Sequence, residues 1–323
     1  MASIVVIGGF GFVGRHVVEQ LRDAGHAPEP ISRRTGVDLL DLGDIRDALR
    51  ARRPEVIINC AAHVGSLHYV TEHAATVVHD NLQMTLNLYR AAQETCPRAH
   101  IINPLSNCSY PGDADVHYEP DWWSGPVHAS VLPYGTSKRM IYVVSQCYHQ
   151  QHGAQTTNLL VSNAYGPGDY LDPNKVHALN GLVIRMLRAH WDGQPEFEIW
   201  GTGKPIREWT HVRDVARALV EAVGATSSRI YPMNVAKNHG QSIRELATMI
   251  ADAIGYTGDL VYNESYQDGA PIKVLDDRQF RAEFPDFAFC PIEDGIRETV
   301  AYYEAALREE AQADAGDDSG GSQ

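Results

Sequence analysis

The chain has 323 residues, 44% of them hydrophobic and 21% charged, with a formal net charge of −14. That length suits one large α/β unit or a nucleotide domain with a smaller partner lobe, and no apolar run reaches the roughly 18 residues a membrane helix needs. The acidic balance argues against nucleic acid as a partner, because phosphate backbones require a basic face.

Ile4–Ile7 is an apolar run that passes straight into glycines and has no basic segment before it. It reads as a buried strand and not as a signal peptide, so the cytoplasm is the expected location. Val13–Ala24 has the pattern of the helix that follows, ending near Gly25. A weak second strand is expected at Glu29–Ser32, a third at Val56–Cys60 and a fourth at His100–Asn103. Asp80–Glu94 reads as a helix between the last two. Tyr134–His152, closed by Gly153, reads as another, and Thr157–Val161 as a fifth strand. This alternation predicts a Rossmann-type doubly wound parallel sheet of the α/β class.

After Tyr165 the texture changes, with Gly, Pro, Asp and Asn crowding 165–174. A helix is expected at Val176–Ala189, a strand at Phe197–Trp200, a helix at Arg213–Val223, a strand at Tyr231–Val235 that returns to the main sheet, and a helix at Ser242–Gly255. The domain reading is a dinucleotide-binding unit of 1–164, with 207–235 returning to it. A smaller C-terminal substrate lobe takes 165–206 and 236–308, and an acidic, glycine-rich tail of 309–323 is expected to be disordered.

Five cysteines without a CxxC pair argue against a disulfide framework or a structural zinc site. His63, His68, His73 and His79 do not share one helical face, so no metal is expected there.

Two motifs carry chemistry. In Gly8-Gly9-Phe10-Gly11-Phe12-Val13-Gly14, a glycine turn follows a strand and opens a helix. Glycine lets the backbone approach a pyrophosphate, and the helix N-terminus favours its charge. After the second strand stands Ser32-Arg33-Arg34, where an acid would bind ribose hydroxyls. A guanidinium suits a 2′-phosphate, so NADP is the expected cofactor, with NAD as the alternative.

The second motif is Tyr134-Gly135-Thr136-Ser137-Lys138, whose Tyr and Lys share one helix face. An ammonium beside a phenol favours the phenolate, so Tyr134 is expected to have a lowered pKa and to exchange a proton with a sugar oxygen during hydride transfer.

With these motifs the chain resembles the extended short-chain dehydrogenase/reductase (NAD-dependent epimerase/dehydratase) family, from Ile4 to about Thr299. Several further stretches carry the resemblance: Asn59-Cys60-Ala61-Ala62-His63-Val64-Gly65, Ser106-Asn107-Cys108-Ser109-Tyr110-Pro111 and Asn163-Ala164-Tyr165-Gly166-Pro167. So do Trp200-Gly201-Thr202-Gly203-Lys204-Pro205-Ile206-Arg207-Glu208, His211-Val212-Arg213-Asp214 and Asp268-Gly269-Ala270-Pro271. Within the family they look most like the GDP-L-fucose synthase branch, which epimerises a 4-keto-6-deoxy-mannose at C3 and C5 and then reduces C4.

The resemblance implies a cofactor held by Gly8, Gly11, Phe12, Val13 and Gly14, then by Ser32, Arg33, Asp38 and Leu39, and by Ala61, Ala62, His63 and Asn81. Around the reacting end it implies Leu105, Tyr134, Lys138, Asn163, Ala164 and His177. It gives Ser106, Cys108, Tyr134, Lys138 and His177 catalytic roles, with Cys108 and His177 as the acid/base pair at carbon. A thiol and an imidazole both work near neutral pH. The substrate contacts it implies are Ser106, Asn107, Cys108, Tyr134, Asn163, Arg185, Trp200 and Arg207.

Two departures stand out. Leu105 replaces a small residue and is expected to crowd the nicotinamide or reshape the sugar pocket. Tyr266-Gln267 stands where the family carries a substrate-binding lysine. Pro120–Ser130 also reads as a distinctive loop near the pocket.

The function these features imply is an NADP-dependent epimerase/reductase of a nucleotide-diphosphate 4-keto-6-deoxy sugar. The alternatives are an NAD-using 4-epimerase, 3,5-epimerase or dehydratase with tightly held cofactor, or a non-catalytic dinucleotide sensor. The resemblance further implies a homodimer, its interface formed by the helices at Asp80–Glu94 and Tyr134–His152 and filled by residues such as Leu82, Leu86, Met140 and Val144. No membrane or nucleic-acid partner is expected.

Overall fold

The computed structural model describes residues 2–114, 116–225, 228–266 and 268–318. The central strands are β1 (Ile4–Ile7), β2 (Glu29–Ile31), β3 (Val56–Asn59), β4 (His100–Ser106) and β5 (Gln155–Val161). Four short strands follow: β6 (Asn163–Tyr165), β7 (Glu196–Trp200), β8 (Ile206–Arg207) and β9 (Trp209–His211). The chain then returns to the sheet as β10 (Arg229–Val235) and continues through β11 (Gln241–Ser242), β12 (Asp259–Asn263) and β13 (Ile272–Lys273). The central sheet is wholly parallel, in the order β2-β1-β3-β4-β5-β10.

The side-chain alternation of β1 shows why the strand is apolar throughout. Ile4 and Val6 face a layer with Val17 and Leu21 of α1 (Phe12–Asp23) and Leu219 of α7 (Val212–Glu221). Val5 and Ile7 face the opposite layer, with Ile45 and Leu49 of α2 (Leu42–Arg52) and Leu88 and Tyr89 of α4 (Ala74–Thr95). Both faces are covered, as parallel sheets require. Because β2 and β3 lie on opposite sides of β1, the chain reverses its winding there and leaves a crevice at the C-terminal ends of the strands.

A third cluster lies apart from the sheet. α6 (Ala178–Trp191), α8 (Ile243–Ile254) and α10 (Ile292–Asp318) pack around Val183, Leu187, Leu246, Ile250, Ile296 and Tyr303, with Phe197 and Ile199 of β7. β7 pairs in parallel with β12, and β8 lies between β11 and β13.

The structure adds elements the sequence does not announce. α2 is among them, and Asp41 caps it by accepting from Gly43 and Asp44 N–H at 2.6 and 3.1 Å. α3 (Leu67–Glu72) and α9 (Arg278–Glu283) are short, and α4 begins at Ala74, before the expected Asp80. α10 continues to Asp318, into the stretch whose composition reads as disordered, while 319–323 lie outside the described residues. α5 (Leu132–His152) ends at Gly153 in the left-handed conformation, φ 70°, as predicted. No described helix is long and apolar enough to cross a membrane.

One expectation about the α4–α5 surface needs correction. Val144 is buried against Tyr89 and Ala92 in the chain's own core, so it is not available to a partner. Leu86 is exposed, and Leu82 and Met140 are half-buried.

Candidate active site

The glycine turn is shaped by backbone contact. Gly8 has φ +71°, and a Cβ there would meet Ala61 N at 2.8 Å, so β1 and the segment after β3 can close only around glycine. A Cβ on Gly14 would lie 2.2 Å from the Gly8 carbonyl oxygen. α1 therefore starts directly against the turn. Gly11 is its N-cap and has no side chain to cap it, which leaves the first-turn N–H groups available to an anion. Phe12 is buried and Val13 half-buried on the adjoining wall.

After β2, Ser32 caps a short turn by accepting from Arg34 N–H at 3.1 Å. Arg33 and Arg34 are exposed and enter no ion pair among the described residues. Asp38 accepts from Leu40 N–H at 3.0 Å, and Leu39 is buried. These features fit a dinucleotide with a 2′-phosphate: a backbone cradle a Cβ would fill, a free helix N-terminus and unengaged guanidinium groups.

His63 and Asn81 are joined to each other on this wall. The Asn81 amide accepts from His63 N–H at 3.0 Å and donates to the His63 and Val77 carbonyls at 2.8 and 2.7 Å. Its polar atoms hold the Ala61–His63 turn in place. His63 bonds Asp80 and Tyr69 at 2.8 and 2.9 Å. Among the described residues no cluster of three His, Cys, Asp or Glu side chains could hold a metal ion.

At the end of β4, Ser106 Oγ accepts from Cys108 N–H at 3.2 Å and caps the turn that carries the thiol. α5 begins against that turn. A Cβ on Gly135 would meet the Cys108 carbonyl oxygen at 2.3 Å, so the glycine between Tyr134 and Lys138 lets the helix bring the tyrosine beside Cys108. Asn107 is buried, and its Nδ2 has no hydrogen-bond partner among the described residues. Lys138 Nζ donates to the Pro104 carbonyl at 3.2 Å and lies 5.5 Å from the centre of the Tyr134 ring.

The expected lowering of the Tyr134 pKa is not seen. Burial, then the nearby Cys108, pushes the phenol above its ordinary value. Burial also pushes the Lys138 ammonium down to about 8. Removing each group from water disfavours its charged form.

The Leu105 side chain is 1% exposed and packs with Tyr110, Trp122, Ile141 and Leu160. The distinctive loop is fastened to α5. Arg139 donates to the carbonyls of Ser109, Trp122 and Gly125 at 2.6, 2.9 and 2.7 Å, and the buried Trp122 donates to Ser109 Oγ at 2.8 Å.

From the other side comes His177, the N-cap residue of α6, whose ring lies 5.1 Å from that of Phe12 in the glycine turn. Its Nδ1 pairs with Asp169 at 2.9 Å. Asn163 donates to the Glu208 carbonyl at 2.9 Å, and Ala164 packs against the sheet core.

The remaining predicted contacts lie on α6, β7 and β8. Arg185 donates to the Glu198 carbonyl at 2.7 Å and stacks over Trp200 at 4.6 Å. Trp200 in turn stacks on Tyr266, ring centres 5.0 Å apart. Gln267, the other half of the Tyr266-Gln267 departure, lies outside the described residues. Thr202 donates to Asp268 twice, at 2.8 and 2.6 Å, which ties the Trp-Gly turn to the Asp-Gly turn.

Arg207 donates to the Ile206 carbonyl at 2.9 Å. Its neighbour Glu208 is fully buried and accepts from the N–H groups of Lys237 and Leu275 at 2.8 and 3.0 Å. Burial pushes its carboxyl up to about 7. This staple fixes β8 against the segment after β13, and β13 delivers Lys273, whose Nζ lies 3.9 Å from Cys108 Sγ.

Lys273 and Asp169 are the site residues the sequence does not reveal. A lysine does reach the pocket, but from a two-residue strand and not from the position before Asp268.

The profile of the NAD dependent epimerase/dehydratase family matches residues 4–236. Similar proteins include a probable GDP-L-fucose synthase 1 from Oryza sativa subsp. japonica, 29% identical over 302 residues that cover 93% of this chain and 92% of that one. The GDP-L-fucose synthase of Escherichia coli (strain K12) is 28% identical over 286 residues, 84% of this chain and 88% of that one. Among solved structures, a GDP-L-fucose synthetase from Naegleria fowleri bound to NADP superposes with a TM-score of 0.84 at 26% identity, with 94% of each chain covered.

Proposed function

The chain belongs to the NAD dependent epimerase/dehydratase family, and from that premise we propose that it epimerises a nucleotide-diphosphate 4-keto-6-deoxy sugar beside its ketone and then reduces the ketone with NADPH. The observation that supports this is a phenol and a thiol side by side at the end of β4, with an imidazole against the glycine turn. Tyr134 stands beside Cys108 at the end of β4, and His177 reaches in from the opposite lobe against Phe12. The relatives named as GDP-L-fucose synthases, one of them bound to NADP, support both the substrate class and the cofactor.

Residues 1–164 with 207–235 bind the dinucleotide, and 165–206 with 236–308 bind the sugar nucleotide. Gly8, Gly11, Gly14 and the open N-terminus of α1 hold the pyrophosphate, and Ser32 and Arg33 take the 2′-phosphate. NADPH, when bound, supplies a hydride to the ketone carbon. Tyr134 gives its proton to the ketone oxygen, and Ser106 donates a hydrogen bond to the same oxygen. Burial keeps the proton on the phenol until that oxygen becomes basic, which suits reduction. Lys138 then faces the phenolate.

At the carbons beside the ketone, Cys108 and His177 act from opposite faces, one removing a proton and the other returning it. Arg185, Trp200, Arg207 and Lys273 hold the nucleotide diphosphate. The protein works in the cytoplasm as a homodimer. The exposed Leu86 of α4 and the half-buried Met140 of α5 supply apolar surface for a two-fold contact.

A panel of nucleotide 4-keto-6-deoxy sugars, offered with NADPH or NADH and followed at the nicotinamide absorbance, tests this. NADPH is consumed with at least one sugar, and Arg33→Ala narrows the preference over NADH by an amount equivalent to roughly 1.5–3 kcal/mol, the worth of one charge-assisted contact. Consumption of NADH with NADPH excluded, or of neither with any sugar, overturns it.

A further inference from the structure

The loop between β6 and α6 carries a carboxylate for which the proposed reaction has no use. Asp169 has a side chain with 0% exposure, and three N–H groups converge on its Oδ2. These are the backbone N–H of His177 at 2.8 Å, His177 Nδ1 at 2.9 Å and Asn180 Nδ2 at 3.1 Å. Its Oδ1 is buried with no hydrogen-bond partner among the described residues.

A charge in such a place is costly unless it is paired and hydrogen-bonded. Burial works to raise the carboxyl, but the bonds from His177 and Asn180 outweigh it and hold Asp169 below the ordinary range. Capping α6 requires only the bond to the His177 N–H. The bond to Nδ1 goes beyond a cap. It gives that nitrogen the proton and leaves Nε2, which has no hydrogen-bond partner among the described residues, as the open nitrogen of a ring whose side chain is 34% exposed. Phe12 rests on the same ring, so the imidazole is fixed at one edge by Asp169 and on one face by the glycine turn.

We infer that Asp169 is a positioning residue that sets the tautomer of His177, with Nδ1 protonated and Nε2 free to act, and that its charge stabilises the imidazolium. This rests on the acid/base role proposed for His177. When Nε2 takes a proton from carbon, the C–H electron pair passes to the ketone as an enolate. The ring becomes a cation, the Nδ1 proton stays on nitrogen, and Asp169 remains ionised.

The other charged or titratable groups around the pair are Arg15 and His16 of α1, beside Gly168, and Tyr303 of α10. Lys175 and Asp172 of the same loop pair with each other at 3.4 Å. All of these stay intact in the variants that test the inference. Asp169→Asn keeps an oxygen to accept the same bonds and removes the charge. Asn180→Ala removes a neighbouring bond and keeps the charge.

The experiment reads the tautomer of His177 from NMR of ¹⁵N-labelled histidine in the full-length enzyme, paired with the rate of carbon deuteration of a nucleotide 4-keto-6-deoxy sugar in deuterated water. In wild type, Nδ1 carries the proton of neutral His177. Asp169→Leu, which removes the acceptor, releases that proton to Nε2. Asp169→Asn keeps an acceptor without the charge and slows deuteration by roughly tenfold or more, with KM little changed. Asn180→Ala leaves tautomer and deuteration as in wild type, even if it lowers the melting temperature. If Asp169→Leu leaves the tautomer as in wild type, or if Asn180→Ala shifts it equally, the inference is overturned. Because the tautomer is read without substrate, it stands or falls separately from the proposed epimerisation. A wild type that never deuterates carbon, yet loses its tautomer in Asp169→Leu, counts against the reaction and for the pairing.

Discussion

At the glycine turn the backbone itself makes the binding surface, whereas across the crevice side chains make it. Gly8 and Gly14 close on main-chain atoms of Ala61 and Gly8, with no room for a methyl group. Opposite them, Arg185, Arg207 and Lys273 arrive from α6, β8 and β13, held by Glu208 and by stacking on Trp200. A surface made of backbone has one solution and tolerates little change. One made of long, charged side chains can be retuned residue by residue. The dinucleotide side is therefore expected to be intolerant of substitution, and the sugar-nucleotide side to be where specificity is adjusted.

The comparison breaks most readily at Gly14. In Gly14→Ala the new methyl must displace the Gly8 carbonyl, and overpacking of this kind costs up to about 3 kcal/mol. NADPH binding, measured by fluorescence titration, is expected to weaken by roughly 100-fold, and the melting temperature to fall by several degrees. Unchanged binding would show that the turn can give way after all. Arg207→Ala on the other side should be milder, raising KM for the sugar nucleotide about tenfold through loss of one charged contact, with affinity for NADPH unaffected. A fall in NADPH affinity equal to the rise in KM would mean that the two sides are not separable.

The smallest expected effect lies at the seam. Lys138 is pushed down to about 8, so it carries its charge below that pH and loses it above. The reduction step, read as single-turnover NADPH oxidation, should slow as pH rises through about 8, by about fourfold half a unit higher. A flat profile to pH 9.5 would remove Lys138 from the proton path.

These differences also decide what could be read in advance. The turn at Gly8–Gly14 is contiguous and is bracketed by β1 and α1, so its pattern carries its structure. Tyr134 and Lys138 share a helix face, and their spacing alone announces the pair. Lys273 lies on a strand of two residues whose partner, β8, is distant in sequence, and no local periodicity marks it as facing Cys108. Asp169 is hidden for a related reason: a buried carboxylate on a loop looks like any surface acid until its partners are known. The packing of Leu105 is hidden because both faces of β4 are covered, and a family position names no neighbour. The upward shift of Tyr134 is hidden because spacing reports the nearby ammonium and says nothing of burial.

The proposed reaction requires that carbon protons and hydride be handled by separate residues. The direct measurement is NMR of the wild-type enzyme and of Cys108→Ser and Tyr134→Phe, each with a nucleotide 4-keto-6-deoxy sugar and NADPH in deuterated water. Wild type should place deuterium on both carbons beside the ketone and reduce the ketone. Cys108→Ser should reduce with little deuteration, and Tyr134→Phe should deuterate while NADPH is spared. A wild-type enzyme that reduces the ketone with no deuterium on carbon would contradict the account, leaving a simple reductase in which Cys108 only shapes the turn after β4.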